Sequence, residues 1–168
     1  VHPQHLLEAL QSVLTPEDVA VDLDQGVAHR IKPDKPGRDL RILLAEDNAV
    51  NRRVALLLLD SIGYEAHAVE DGHEALEALR TSTYDVVLTD IQMPGMDGFE
   101  TSRAIWREFS DEQRPYIIAM TAHALSGDRE RCLAAGMDEY ISKPIDVGER
   151  RRVLAEVPLA QERAAINF

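Results

Sequence analysis

From position 40 onward, short apolar runs alternate with segments of helical periodicity, and this alternation constrains the fold more than any other feature of the chain. RILLA at 41–45, YEAHAV at 64–69, VVLTD at 86–90, YIIAM at 116–120 and EYIS at 139–142 have the lengths of strands. Between them, 49–62, 72–82, 99–109 and 127–135 repeat apolar residues at three- and four-residue intervals, as amphipathic helices do. Gly63 and Gly136 supply helix stops. A last helix at 147–157 is interrupted on its apolar side by Gly148 and Arg150-Arg151-Arg152. Val50, Val54, Leu57 and Leu58 are expected to face the core on the first helix of the series, and Ala75, Leu76 and Leu79 on the second. Strands joined through helices pair in parallel by right-handed crossovers, so the reading is one α/β domain with a doubly wound five-stranded parallel sheet and helices on both faces. The polar second strand fits a sheet edge.

Residues 1–39 differ in character. HPQHLLEALQSVL places Leu6, Leu7, Leu10, Val13 and Leu14 on one side of an amphipathic helix over 1–14. Residues 15–39 read as a linker, with a brief strand around 19–23 and Pro33, Pro36 and Gly37 before the first run of the domain. The domain itself is expected over 40–158, followed by a tail at 159–168.

A net charge of −12 argues against direct contact with nucleic acid or an anionic membrane, both of which call for a basic face. The single cysteine, Cys132, excludes an internal disulfide framework and fits a reducing, cytoplasmic setting. It falls inside a helical pattern and reads as a buried structural thiol. The longest apolar run, VALLLL at 54–59, is far shorter than the ~20 residues that span a bilayer. No membrane contact is expected of this segment, although a longer parent protein would be free to carry an anchor.

Polar residues stand at or just after the ends of four strands. Glu46 and Asp47 follow the first, Asp90 ends the third, Thr121 follows the fourth, and Ser142-Lys143-Pro144 closes the fifth. In a parallel sheet those ends open onto one edge, where ligands bind. Three carboxylates together are costly unless a cation neutralises them, and hard oxygen donors suit Mg²⁺. Lys143 adds a positive charge and Thr121 a hydroxyl, a set that can hold the oxygens of a phosphoryl group arriving on a carboxylate. Each residue alone has a plainer reading. Glu46-Asp47 suits the N-terminal turn of a helix, Asp90 an Asx-turn, Thr121 a helix cap, and Lys143-Pro144 an exposed turn. Their coincidence at matching strand ends favours the functional one.

The segments AEDNAVNRRV, YDVVLTDIQMPGMDGFE, IIAMTAHAL and GDRERCLAAGMDEYISKPI, with the spacing between them, resemble the receiver domains of two-component response regulators. The resemblance covers residues 41–157 and is nearest to receivers attached to hybrid sensor histidine kinases. It implies a flavodoxin-like sheet of order 2-1-3-4-5, with Asp90 as phosphoacceptor. It further implies that Glu46, Asp47, Asp90 and the backbone carbonyl of Gln92 bind Mg²⁺, and that Thr121 and Lys143 read the phosphoryl oxygens. Tyr140 resembles the aromatic switch residue that acts with Thr121, while Gln92 and His123 resemble residues that tune dephosphorylation. The Lys143–Pro144 bond resembles one that is cis in the family. Thr89 departs from the methionine common in this subgroup, a change in packing beneath the site.

The partner implied is a histidine kinase or histidine phosphotransfer domain, with a kinase in the same chain or a preceding receiver domain as further candidates. The helix over 1–14 resembles the last helix of such a preceding domain. Two other classes use the same residues: a Mg²⁺-dependent phosphatase or phosphotransferase with an aspartyl nucleophile, and an interaction domain that works without phosphorylation. Against the first, Gln92 stands where those enzymes generally place a second aspartate. Against the second, the whole acidic–Thr–Lys set is present.

Overall fold

The structure, a computed structural model, describes residues 39–122, 126–143 and 147–158. The helix expected over 1–14, the linker up to position 38, the tail over 159–168, and His123 and Pro144 lie outside the described residues. Strands and helices alternate as β1 (Ile42–Ala45), α1 (Ala49–Ser61), β2 (Ala66–Val69), α2 (Gly72–Thr81), β3 (Val86–Asp90), α3 (Gly98–Glu108), β4 (Tyr116–Thr121), α4 (Ser126–Ala134), β5 (Glu139–Ser142) and α5 (Val147–Glu156). Every strand pairing is parallel and the order is β2-β1-β3-β4-β5.

Strand burial follows position in the sheet. β1 and β3, flanked by strands on both sides and helices on both faces, are buried at every residue, whereas edge strand β2 is buried only at Val69. Alternate strand residues feed two cores, because successive side chains leave a strand on opposite faces. Leu43, Ala45, Val87, Ile117 and Ala119 pack with residues of α2, α3 and α4. Ile42, Leu44, Leu88, Ile118 and Ile141 pack with residues of α1 and α5. Each fully buried Leu or Ile contributes about 1.5–3 kcal/mol of transfer free energy. The last helix, despite its arginines, places Val153 and Leu154 in the second core, with Val157 just beyond it.

One expectation is overturned on α1. Its inward residues are Ala55 and Leu59, with Ile62 just after its end, and Leu58 is only partly covered. Val50, Val54 and Leu57 face solvent, with 58%, 39% and 53% of their surfaces exposed. Four consecutive leucines at 56–59 make two faces of the helix apolar, so periodicity alone does not choose between them. The sheet selects the face carrying the small Ala55, which lets the helix approach closely.

Helix starts are set by side-chain caps. Asn48 accepts from the amides of Val50 and Asn51, Asp71 from Glu74, and Asp97 forms a reciprocal capping box with Glu100. On the far side of the molecule, α3 is joined to β4 and to the α4–β5 turn. Trp106 donates its indole N–H to the Gly136 carbonyl, and the buried Arg114 guanidinium lies 3.5 Å from the Trp106 ring centroid. Arg114 also meets Asp138 at 3.5 Å, and Asp138 accepts the Ile117 amide at 2.8 Å. Gly136 has φ +85°, and a Cβ there would strike the Trp106 ring.

Candidate functional site

The carboxyl ends of β1, β3, β4 and β5 bring the expected residues together. Ligand oxygens of Glu46, Asp47 and Asp90 lie within 4.8 Å of one another. Lys143 reaches in from the end of β5, its Nζ 2.7 Å from both Asp90 Oδ2 and Glu46 Oε2. Glu46 and Asp90 are buried, whereas Asp47 is exposed. Burial pushes the Lys143 ammonium towards deprotonation, but its hydrogen bonds to Asp90 and Glu46, with the charges they carry, outweigh that and hold its pKa above the ordinary lysine value.

Asp90 makes the turn of its plainer reading and still presents an oxygen to Lys143. Its Oδ1 accepts the Gln92 amide at 3.1 Å, an Asx-turn, while Oδ2 meets Lys143. The turn therefore fixes the carboxylate's orientation instead of competing with a chemical role. The buried Thr89 hydroxyl donates to the Asp90 carbonyl at 3.1 Å. Beneath it lies Gly98, where α3 begins. A Cβ built there would run into the Asp90 carbonyl oxygen and lie 2.9 Å from Ile91 Cα.

A cleft of about 330 Å³ opens beside Asp90, bounded by Gln92, Phe99, Thr121 and Arg131 among others. Thr121 is buried at the last position of β4, one residue beyond Met120, which pairs with Asp90 across the sheet. Tyr140 is partly buried against the core shared with α2, α3 and α4. Thr121 pairs with Ser142, two residues after Tyr140, so Thr121 and Tyr140 project from the same face of adjacent strands. The Gln92 side chain is exposed. A larger hollow of about 1330 Å³, beside Tyr64, His67 and Tyr84, lies at the opposite ends of the strands and holds none of these groups.

Several supporting residues were not singled out from sequence. Glu46 Oε1 receives the Asn48 amide and Asn51 Nδ2, each at 3.3 Å, so both of its oxygens are engaged by protein donors. Arg52 donates to the main-chain carbonyls of Glu46 at 2.8 Å and Asp47 at 3.3 Å. The signal was present in the spacing EDNAVNRR, which puts Asn48, Asn51 and Arg52 in the cap and first turn of the helix after the acidic pair. The donor set fits a small dication: three carboxylates crowd one point, their oxygens are hard, and Asp47 remains open to solvent.

A five-stranded parallel sheet of order 2-1-3-4-5, with an acidic trio and a lysine at its carboxyl edge, defines a doubly wound domain with a charged site at the strand ends. Residues 42–155 match the response regulator receiver domain, and the chain belongs to that family. It is 36% identical over 156 residues to the sensor protein GacS of Pseudomonas syringae pv. syringae, a match covering 92% of this chain and 16% of that protein. The receiver domain of a sensor histidine kinase from Pseudomonas aeruginosa, solved with a magnesium ion coordinated in its active-site cleft, is 41% identical and superposes with a TM-score of 0.64. That match covers 71% of this chain and 98% of the other. The Saccharomyces cerevisiae receiver domain of Ssk1, solved with the histidine phosphotransfer protein Ypd1, shares the fold at 22% identity and a TM-score of 0.65, over 74% of this chain and 92% of that one. This chain is thus a receiver domain of two-component signalling, similar to those within sensor histidine kinases, and spans about a sixth of the sensor kinase GacS.

Proposed function

We propose that residues 40–158 form the phospho-accepting receiver of a hybrid histidine kinase, taking a phosphoryl group from phosphohistidine onto Asp90. The observation that carries this is the state of the Asp90 carboxylate: buried, oriented by the Gln92 amide, and held at 2.7 Å by an ammonium group. In the transfer, an Asp90 oxygen attacks phosphorus, the P–N bond breaks, and the imidazole leaves with that electron pair. Asp90 and Asp47, with the Gln92 carbonyl and with Glu46 behind them, would hold Mg²⁺, which when bound neutralises charge building on the phosphoryl oxygens. Lys143, cationic over the working pH range, is placed to follow the charge from Asp90 to the new phosphoryl group. The cleft beside Asp90, with the Thr121 hydroxyl at its wall, accommodates the remaining oxygens.

Phosphorylation would draw Thr121 towards Asp90, and Tyr140, on the same sheet face, would move into the space released. Gln92 and His123 would tune the lifetime of the phosphorylated state. The donor is a histidine phosphotransfer domain or the kinase itself. The Val50–Val54–Leu57 stripe, next to the site at the start of α1, supplies an apolar surface for such a helical partner. Residues 15–39 would join this domain to whatever 1–14 belongs to, here a preceding receiver-like domain.

Incubation with acetyl phosphate and Mg²⁺, read by intact mass, tests the assignment. One phosphoryl group should add to the wild-type chain and none to Asp90→Asn. Addition that persists in Asp90→Asn would displace the acceptor. No addition to the wild type would leave an interaction domain, and sustained turnover of a free phosphate ester would mark an enzyme.

A further inference from the structure

The acidic pair has to be held by something other than its own carboxylates. Three like charges share the carboxyl edge, and a flexible loop would relieve their repulsion by turning Asp47 away. Arg52 opposes that. One of its nitrogens, Nη1, bridges the main-chain carbonyls of Glu46 and Asp47, and the other, Nη2, binds Glu70 at 2.8 Å. Its own amide is fixed to Asn48 at 2.8 Å within the first turn of α1. Glu70 follows β2, and its amide donates to Glu74 Oε2 at 2.8 Å, which ties the assembly to the start of α2. The guanidinium therefore couples α1, the acidic loop and the β2–α2 turn. Its side chain is only 18% exposed, so it is held rather than waving in solvent.

The direction of these bonds matters. Arg52 grips the carbonyl oxygens of the acidic pair rather than its carboxylates, and Glu70 neutralises its charge. Its charge is thereby compensated outside the metal-binding point, whereas Lys143 places its own charge directly on Glu46 and Asp90. We propose that Arg52 is a positioning residue for the reaction at Asp90, setting the backbone of Glu46 and Asp47 to receive the divalent cation, with Glu70 governing how firmly it does so. This rests on the reading of the acidic trio as a Mg²⁺ site.

The test is Mg²⁺ titration of the unphosphorylated chain, followed by ¹H–¹⁵N shifts of the Asp47 and Asn48 amides, beside urea unfolding of each variant. Arg52→Gln should bind Mg²⁺ about tenfold or more weakly, the usual effect of losing a group that orients a metal ligand. Arg52→Lys, which keeps charge but not the two-armed fork, should recover only part of the affinity. Glu70→Gln should weaken binding by a smaller factor, because a guanidinium freed from Glu70 both loosens and adds unbalanced charge. Wild-type affinity in Arg52→Lys and Glu70→Gln would overturn the proposal even if Arg52→Gln failed to fold, as would lower stability of Arg52→Gln with unchanged affinity. Asp47→Asn separates the two levels. If it abolishes Mg²⁺ binding while the Arg52 and Glu70 variants do not alter it, only the role of Arg52 falls. A wild-type chain that binds no Mg²⁺ would overturn the site reading as well.

Discussion

Asp90 shows how a turn can orient a carboxylate while leaving one of its oxygens to a second partner. The Asx-turn holds Oδ1 against the Gln92 amide, so the carboxylate is fixed before any ligand arrives, and Oδ2 is left to Lys143. Sequence reading located Asp90, the acidic pair and Lys143 because each terminates an apolar run. It passed over Asn51 and Arg52 because polar residues in the first turn of a helix look like ordinary solvated surface. What assigns them is contact with a loop five or six residues back, which periodicity does not describe. Cys132, read as a buried thiol, is buried in α4. Burial raises its pKa, the Asp128 charge raises it further, and Arg131 offsets only part of this. The fold thus favours the neutral thiol, an advantage that is full below about pH 8.5, the ordinary thiol pKa, and is lost as pH rises beyond it. Reaction with a disulfide reagent at pH 8 should accordingly be much slower in the native chain than in urea. Equal rates would show that the thiol is open in the fold.

At the scale of elements, α1 and α3 carry the sharpest consequences. The misassigned stripe on α1 arose because the helix is apolar on two faces, and only the sheet determines which is used. The face left outside is then the part of the helix free to meet a partner. Leu57→Lys should change urea stability by no more than about 0.5 kcal/mol, as expected of an exposed position. It should slow phosphoryl transfer from a histidine phosphotransfer protein by about tenfold, the loss of one modest interface contact. Unchanged transfer would remove α1 from the docking surface. At the start of α3, Gly98 is fixed by proximity to the Asp90 main chain. Gly98→Ala should destabilise the fold by about 1–3 kcal/mol through overpacking, measured by urea unfolding, and should shift the Asp90 and Ile91 amide resonances. A variant as stable as wild type, with those resonances in place, would show that the helix start can yield.

For the whole molecule, alternation of strand and helix determined the architecture, and the polarity of β2 placed it at the edge. Strand ends moved by one or two residues, as at β2, where Tyr64 and Glu65 precede the ladder, and at β4, which extends to Thr121. Those limits are set by hydrogen bonds across the sheet, which a single run of residues does not encode. No described helix is long and apolar enough to cross a membrane.

The joint built on Trp106 gives the molecule an optical property. The chain has a single tryptophan, and its indole sits between a guanidinium, 3.5 Å from the ring centroid, and the carbonyl of the α4–β5 turn. Emission from that ring is tuned by the electric field of Arg114 and by the polarity of its half-exposed setting. A change in how α3 meets β4 and β5 alters both. The protein therefore carries its own fluorophore near the end of α3, whose start lies against Asp90, so a rearrangement along that helix would be visible without a label.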